Sequence, residues 1–152
     1  PGDVEMKEDE VDSIFGANDA VFNYVVSAQK PTVVTHSVVG NFTSPDALNL
    51  IVCKTSRLEI FQLTCDGLQP LHEVNIYGRV VSMQLFRPQT GSKEYLFICT
   101  EKYSICVLAY DEKSQKILTI SGGNVCDRNI LRQTDIGPMG VVDPDSRVLA
   151  LH

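Results

Sequence analysis

The sequence predicts an all-β protein, a partial β-propeller of about two and a half four-stranded antiparallel blades. Three observations carry this expectation. Short segments rich in Val, Ile, Leu, Phe and Tyr recur along most of the chain, each bounded by turn-forming residues. No window offers ten residues of clean helical period. Finally, "LIVCKTSRLEIF" (50–61) is written again 46 residues later as "LFICTEKYSICV" (96–107), a period close to that of a four-stranded propeller blade.

In chain order, strands are predicted at 22–28, 33–39, 48–53, 57–63 and 68–76, then at 79–86, 95–99, 103–110, 116–121, 139–142 and 147–151. Ser44-Pro45-Asp46, Asp66-Gly67, Tyr77-Gly78, Arg87-Pro88, Gly122-Gly123 and Asp143-Pro144-Asp145 separate them as turns. "SPDALNL" (44–50) has the look of a helix start but is too short to propagate one. In the repeat, Leu50 lies over Leu96, Cys53 over Cys99, and Lys54-Thr55-Ser56 over Thr100-Glu101-Lys102. Each copy continues through a further turn into a fourth strand. A third copy begins at "VVDPDSRVLALH" (141–152), where Leu149 and Leu151 match Leu96 and Ile98 at a spacing of 53. The extra residues fall in the polar loop 124–137. Such apolar strands need cover on both faces, and stacked blades supply it. The rival fold is a single β-sandwich. The repeat keeps the order of all four strands and their turns, which favours the propeller. With no tryptophan, the chain is not a typical WD40 repeat.

A compact domain of 152 residues buries roughly 70% of the surface its unfolded chain exposes. No apolar run reaches the roughly 18 residues that span a bilayer, so no membrane partner is expected. The acidic N-terminus has no signal-type apolar core. Of the 19 acidic and 13 basic residues, seven and one lie in residues 1–20, which leaves twelve of each in 21–152. Residues 1–20 are therefore expected to be a disordered acidic tail, with ordered propeller blades over 21–152. Within the tail, "EVDSIF" (10–15) has the pattern of one amphipathic turn, but its composition favours a solvated segment. The neutral body lacks the basic footprint that phosphate contacts require.

Cys53, Cys65, Cys99, Cys106 and Cys126 are odd in number and show no C-x-x-C spacing, and His36, His72 and His152 stand far apart. Zinc is not expected, and free thiols packed as small apolar residues are. Asn41-Phe42-Thr43 matches a glycosylation sequon and reads as a turn entry. Cys99 and Cys106 flank a hairpin turn. Two readings are open, a redox pair and two small core residues. The second is favoured, because nothing nearby supplies positive charge to lower a thiol pKa.

Other stretches carry a family resemblance. They are "NYVVSAQKPT" (23–32), "GNFTSPDALNLIV" (40–52), "RLEIFQLT" (57–64), "IYGRV" (76–80), "LFRP" (85–88), "LFICTEKY" (96–103), "GNVCDR" (123–128) and "GVVDPDSRVLALH" (140–152). In this order and spacing they resemble the start of the large-subunit family of the UV-damaged-DNA-binding complex, adaptors of cullin-RING ubiquitin ligases. Related propeller proteins of splicing and polyadenylation share the architecture. The resemblance implies a much longer chain of three seven-bladed propellers. The first and third grip substrate receptors, the middle one holds the cullin, and DNA is contacted chiefly through a small partner subunit. It also implies a nuclear location, with the cytoplasm as a second one, and further blades of the same chain as partners. This sequence corresponds to the first two and a half blades. After Asp127-Arg128 the family usually has a Gly-Arg-Pro turn, where this chain reads Asn129-Ile130-Leu131-Arg132, so that loop is not expected to keep the family conformation. The acidic tail lies outside the family pattern.

The chain shows no G-x-S-x-G, Walker, G-x-G-x-x-G or H-E-x-x-H pattern, so no enzyme and no cofactor are expected. Gly122-Gly123-Asn124 precedes no helix that would cradle a phosphate. His36 and His72 read as packed or surface imidazoles, and Asp143 and Asp145 as turn formers. The leading expectation is a protein-interaction scaffold. The alternative is a nucleic-acid-binding propeller subunit of a repair, splicing or polyadenylation complex. The loop 124–137, with Asn124, Asp127, Arg128 and Arg132, is the candidate partner-binding segment, because loops on rigid scaffolds carry binding. Its other reading is a solvated connection between blades.

Overall fold

The structure is a computed structural model that describes residue 26 and residues 28–89, 91–125 and 137–151. The chain divides into residues 1–30 and a compact unit of residues 31–152. The expected tail lies outside the described residues, as does most of the expected strand 22–28. Its described residues, Val26 and Ala28, are not in a strand.

Ten strands form three sheets. β1 (His36–Gly40), β2 (Asn49–Cys53), β3 (Arg57–Thr64) and β4 (Gly67–Asn75) form the first in that spatial order. β5 (Val80–Phe86), β6 (Tyr95–Thr100), β7 (Ser104–Asp111) and β8 (Lys116–Asn124) form the second. β9 (Gly140–Val142) and β10 (Leu149–Leu151) form a hairpin beside β5. All neighbours are antiparallel. These are two complete blades and a two-stranded third, as the repeat predicts.

The turns follow from local chemistry. In the β2–β3 turn the Lys54 N–H donates to the Arg57 carbonyl at 2.7 Å while Thr55 takes a left-handed conformation (φ 64°). Between β7 and β8, the Asp111 carboxylate accepts the Lys113 and Ser114 N–H groups and the Ser114 hydroxyl. The sequon residues build the β1–β2 turn: Asn49 Oδ1 accepts from the Phe42 and Thr43 N–H groups and the Thr43 hydroxyl. Residues 45–46 form a turn rather than a helix.

Directly paired residues of a sheet share a face. The face of blade 1 toward blade 2 carries Ile51, Cys53, Leu58 and Ile60. Blade 2 answers with Met83, Leu96, Ile98 and Leu108. With Phe42 and Val80 these residues make one buried cluster, so the core is the interface between blades rather than the inside of one sheet. At about 25 cal/mol per Å², burying each such side chain contributes roughly 1.5–3 kcal/mol. On the other face of blade 2, Phe97 and Cys99 are buried as well. Gly140 of β9 sits over Phe97, where a built Cβ would lie 2.7 Å from the ring.

The structure also departs from the sequence reading. Gly122-Gly123 is not a turn: both residues lie in β8 and pair with Cys106 and Ile105. A side-chain-free stretch is tolerated there because β8 is an outer strand, held by pairing rather than by packing. The first strand begins at His36 rather than at Val33, because its partner β2 turns away at Lys54 and leaves residues 33–34 nothing to pair with. Cys99 pairs with Ile105 and Cys106 with Ile98, so the two thiols point to opposite faces and cannot face each other as a pair. The repeat itself changes register. Leu50 and Leu96 occupy like faces at a spacing of 46, but Leu58 and Ile105, like Ile60 and Val107, do so at 47. The second hairpin turn is one residue longer, and that extra residue keeps the following strand in phase with its faces.

Candidate interaction surfaces

Side chains that bridge the blades set the geometry of the surfaces. His36 on β1 places Nε2 3.0 Å from the Val81 carbonyl of β5, tying the two innermost strands. Glu94, in the β5–β6 connection, accepts the Asn41 N–H at 2.7 Å, and its own N–H donates to the Asn41 carbonyl at 2.9 Å. Farther out, the His72 and Tyr110 rings stack obliquely at 5.3 Å. Lys93 donates to the Tyr110 carbonyl and pairs with Glu112. Gln84 clamps the third blade. Its Nε2 donates to the Gly140 carbonyl at 2.8 Å, and its Oε1 accepts the Val142 N–H at 2.8 Å. Sequence reasoning missed Gln84. Its only signal is a long polar side chain between Met83 and Leu85 in the strand "VSMQLF".

Three surfaces result. At the rim holding the β1–β2, β5–β6 and β9–β10 turns, a groove of about 720 Å³ has an apolar floor of Val38, Leu85 and Val142 and a charged edge of Arg87, Glu94 and Asp143. Its charges are already engaged: Arg87 bonds to Asn41 Oδ1 at 3.3 Å and lies 3.9 Å from Glu94, and Asp143 pairs with Arg147. An uncharged crevice of about 290 Å³ lies between the end of β4 and blade 2. The third surface is the face of blade 1 turned away from blade 2. There Arg57, itself buried, bridges Glu59 at 2.8 Å and Glu73 at 3.4 Å, and Lys54 reaches Glu59 at 2.7 Å.

Of the four candidate partner-binding residues, only Asn124 is described. It ends β8 opposite Ser104, and its amide donates to the Lys102 carbonyl at 2.9 Å and the Ser104 hydroxyl at 3.1 Å. It therefore braces the β6–β7 turn. Asp127, Arg128 and Arg132 lie outside the described residues. No group of three His, Cys, Asp or Glu side chains among the described residues is placed to hold a metal ion. Burial pushes the Cys53, Cys99 and Cys106 thiols up, which keeps them protonated and poorly nucleophilic at neutral pH. No described helix is long and apolar enough to cross a membrane.

Two bridged four-stranded sheets and a third begun on the same plan match a known domain. Residues 33–152 fit the family model described as RSE1/DDB1/CPSF1 first beta-propeller. The chain belongs to this family. Among curated relatives, it is 53% identical over 133 residues to DNA damage-binding protein 1 of Oryza sativa subsp. japonica, covering 88% of this chain. It is 54% identical over 131 residues to DNA damage-binding protein 1a of Arabidopsis thaliana, covering 86% of this chain. In each case the chain spans only 12% of the relative's length. First-propeller membership gives the blades their order: β1–β4 and β5–β8 are successive blades, and β9–β10 begins the next.

Proposed function

We propose that this chain is the leading part of the first propeller of a nuclear damaged-DNA-binding adaptor. On this reading it is a scaffold without enzymatic activity that joins substrate receptors to a cullin-RING ubiquitin ligase. The observation that carries it is the 53% identity to DNA damage-binding protein 1 across nearly the whole chain. The blade architecture supports it, since rigid stacked sheets present turns and edges at fixed positions. The neutral composition of residues 21–152 supports contact with DNA through a partner subunit rather than directly.

The test is reconstitution. The complete gene product, co-expressed with a cullin scaffold and a propeller-type substrate receptor, should co-elute with both as one complex. Free elution of all three components would overturn the reading. Residues 1–152 alone should bind UV-damaged and undamaged duplex equally weakly. A specific, salt-sensitive complex with damaged duplex would favour the nucleic-acid-binding alternative.

A further inference from the structure

The outer strands of the two complete blades are built differently. An outer strand leaves one row of backbone N–H and C=O groups without a strand partner, a template for pairing with another chain. β4 blunts its edge. Pro70 within it has no N–H to offer, the pairing shifts register opposite Ile60 and Phe61 so that Leu71 is bulged out, and Glu73 adds a charge near its end. β8 lacks most of these guards. It has one register shift, no proline and no acidic residue, and its single charge, Lys116, is its first residue. Eight of its nine residues are exposed, and Gly122 and Gly123 leave the backbone bare.

The uncharged crevice opens beside this edge. Val74 and Ile76 form one wall, Cys106, Leu108 and Thr119 the other, and the wholly exposed Tyr77 stands at its lip. Gly122 keeps the crevice open toward the strand edge. A Cβ built there would lie 3.8 Å from both Cys106 Cβ and Thr119 Cγ2, so a larger residue would fill it.

We propose that the outer edge of β8 takes an extended segment of a partner protein as an added strand, with one apolar side chain seated in the crevice against Tyr77. The bare edge selects an extended backbone, because only a strand places its own N–H and C=O groups in the matching row. The lining has no charged group to pair with a charged side chain, so the seated residue is uncharged, of leucine or phenylalanine size. Alternate side chains of an added strand point to opposite faces, so one residue enters the crevice while its neighbours point away. The inference rests on the scaffold reading and names a contact that this reading leaves open.

The experiment pans a phage-displayed library of linear dodecapeptides against the complete gene product. Selected peptides are then synthesised, and their footprint is read by hydrogen exchange. The expected peptides have alternating character with one apolar anchor, slow the exchange of amides in 116–124, and bind at least about tenfold more weakly to Gly122→Val and to Ile120→Lys. The matching change on the other outer strand, Leu71→Lys at the equivalent bulge, leaves affinity unchanged. Gly122→Val meets only ordinary contacts of 3.4–3.8 Å, and Ile120→Lys decides the question if that variant fails to fold. Peptides that protect other segments, affinity indifferent to both variants, or a library that yields no binder would each overturn the proposal. A concentration-dependent dimer abolished by Ile120→Lys would overturn it in favour of a second copy on β8. Cullin and receptor assembly is scored on the same variants. Intact assembly with no peptide on β8 removes the added strand alone, whereas failed assembly of the wild type removes the scaffold reading.

Discussion

The second strands of blade 1 and blade 2 place matching apolar residues on the same faces, yet bury them differently. Leu96 and Ile98 are fully buried, while their repeat counterparts Leu50 and Val52 are only half-buried. The cause lies outside each sheet. Blade 2 has blade 1 against one face and β9–β10 against the other. Blade 1 presents its far face with Val39, Leu48 and Leu63 substantially exposed. That face also holds the Arg57–Glu59–Glu73 cluster, where the counterpart of Glu59 in blade 2 is Cys106. In a propeller the sequence of a blade specifies which side chains are available for burial, and the neighbouring blade decides whether they are buried.

Truncating the two leucines sharpens this comparison most. Leu96→Ala should cost about 2–5 kcal/mol in urea unfolding of residues 1–152, because the side chain is wholly enclosed and the surrounding strands collapse only partly. Leu50→Ala should cost less than half as much, since its surroundings already admit water. Equal losses would show that the far face of blade 1 is as well covered as that of blade 2.

The next effect concerns how the third blade is held. Gly140→Val places a side chain where a Cβ already comes within 2.7 Å of Phe97, so β9–β10 should lift off blade 2 at a cost of about 1–3 kcal/mol or more. Amide exchange in 140–151 should rise strongly while that in β2–β3 and β6–β7 stays slow. Gln84→Leu should act on the same hairpin more gently. It removes the bond to the Val142 N–H and the shorter of two bonds to the Gly140 carbonyl, which keeps the Ser82 hydroxyl at 3.3 Å, a loss of about 1–3 kcal/mol without a collision. Unchanged exchange at 140–142 in the Gln84 variant would mean that Phe97 packing alone holds the hairpin.

Much of this arrangement was legible in the sequence, and what escaped has a physical reason. Strand order and the repeat could be read because apolar segments and turn residues alternate over short distances. The faces of the third strands could not, because one added residue in a turn flips every side chain of the following strand unless the strand compensates. Cys99 and Cys106 appeared close in sequence, but period-two alternation sends them apart. Gly122-Gly123 resembled a turn because composition does not reveal that β7 offers a pairing partner as far as Ser104. Gln84, His36 and Glu94 act between blades, at sequence separations that no local pattern records. Of the candidate binding loop, the structure describes only its first residue, Asn124, its second, Val125, and its last, Gly137, and Asn124 serves the hairpin.

The smallest expected effect tests whether turns are autonomous in a structure whose core lies between its sheets. Asp111 lies on the exposed β7–β8 turn. Its hydrogen bond from the Ser114 hydroxyl, first, and those from the Ser114 and Lys113 N–H groups hold its carboxyl below the ordinary value of 3.8. A lowered folded pKa means that the carboxylate's contribution is complete above the unfolded value and fades as pH falls through the folded one. Stability owed to this turn should therefore be constant from neutral pH to about pH 5 and lost only below pH 4 or so. Asp111→Ala should remove that acid-side slope and slightly destabilise the chain at pH 7. The change should be confined to faster exchange in 112–116, because the side chain is solvated and contributes nothing to the interface between blades. If Asp111→Ala instead loosened Leu96 and Ile98, measured by their exchange, the turn would be coupled to the inter-blade core and blade 2 would not fold around its interface alone.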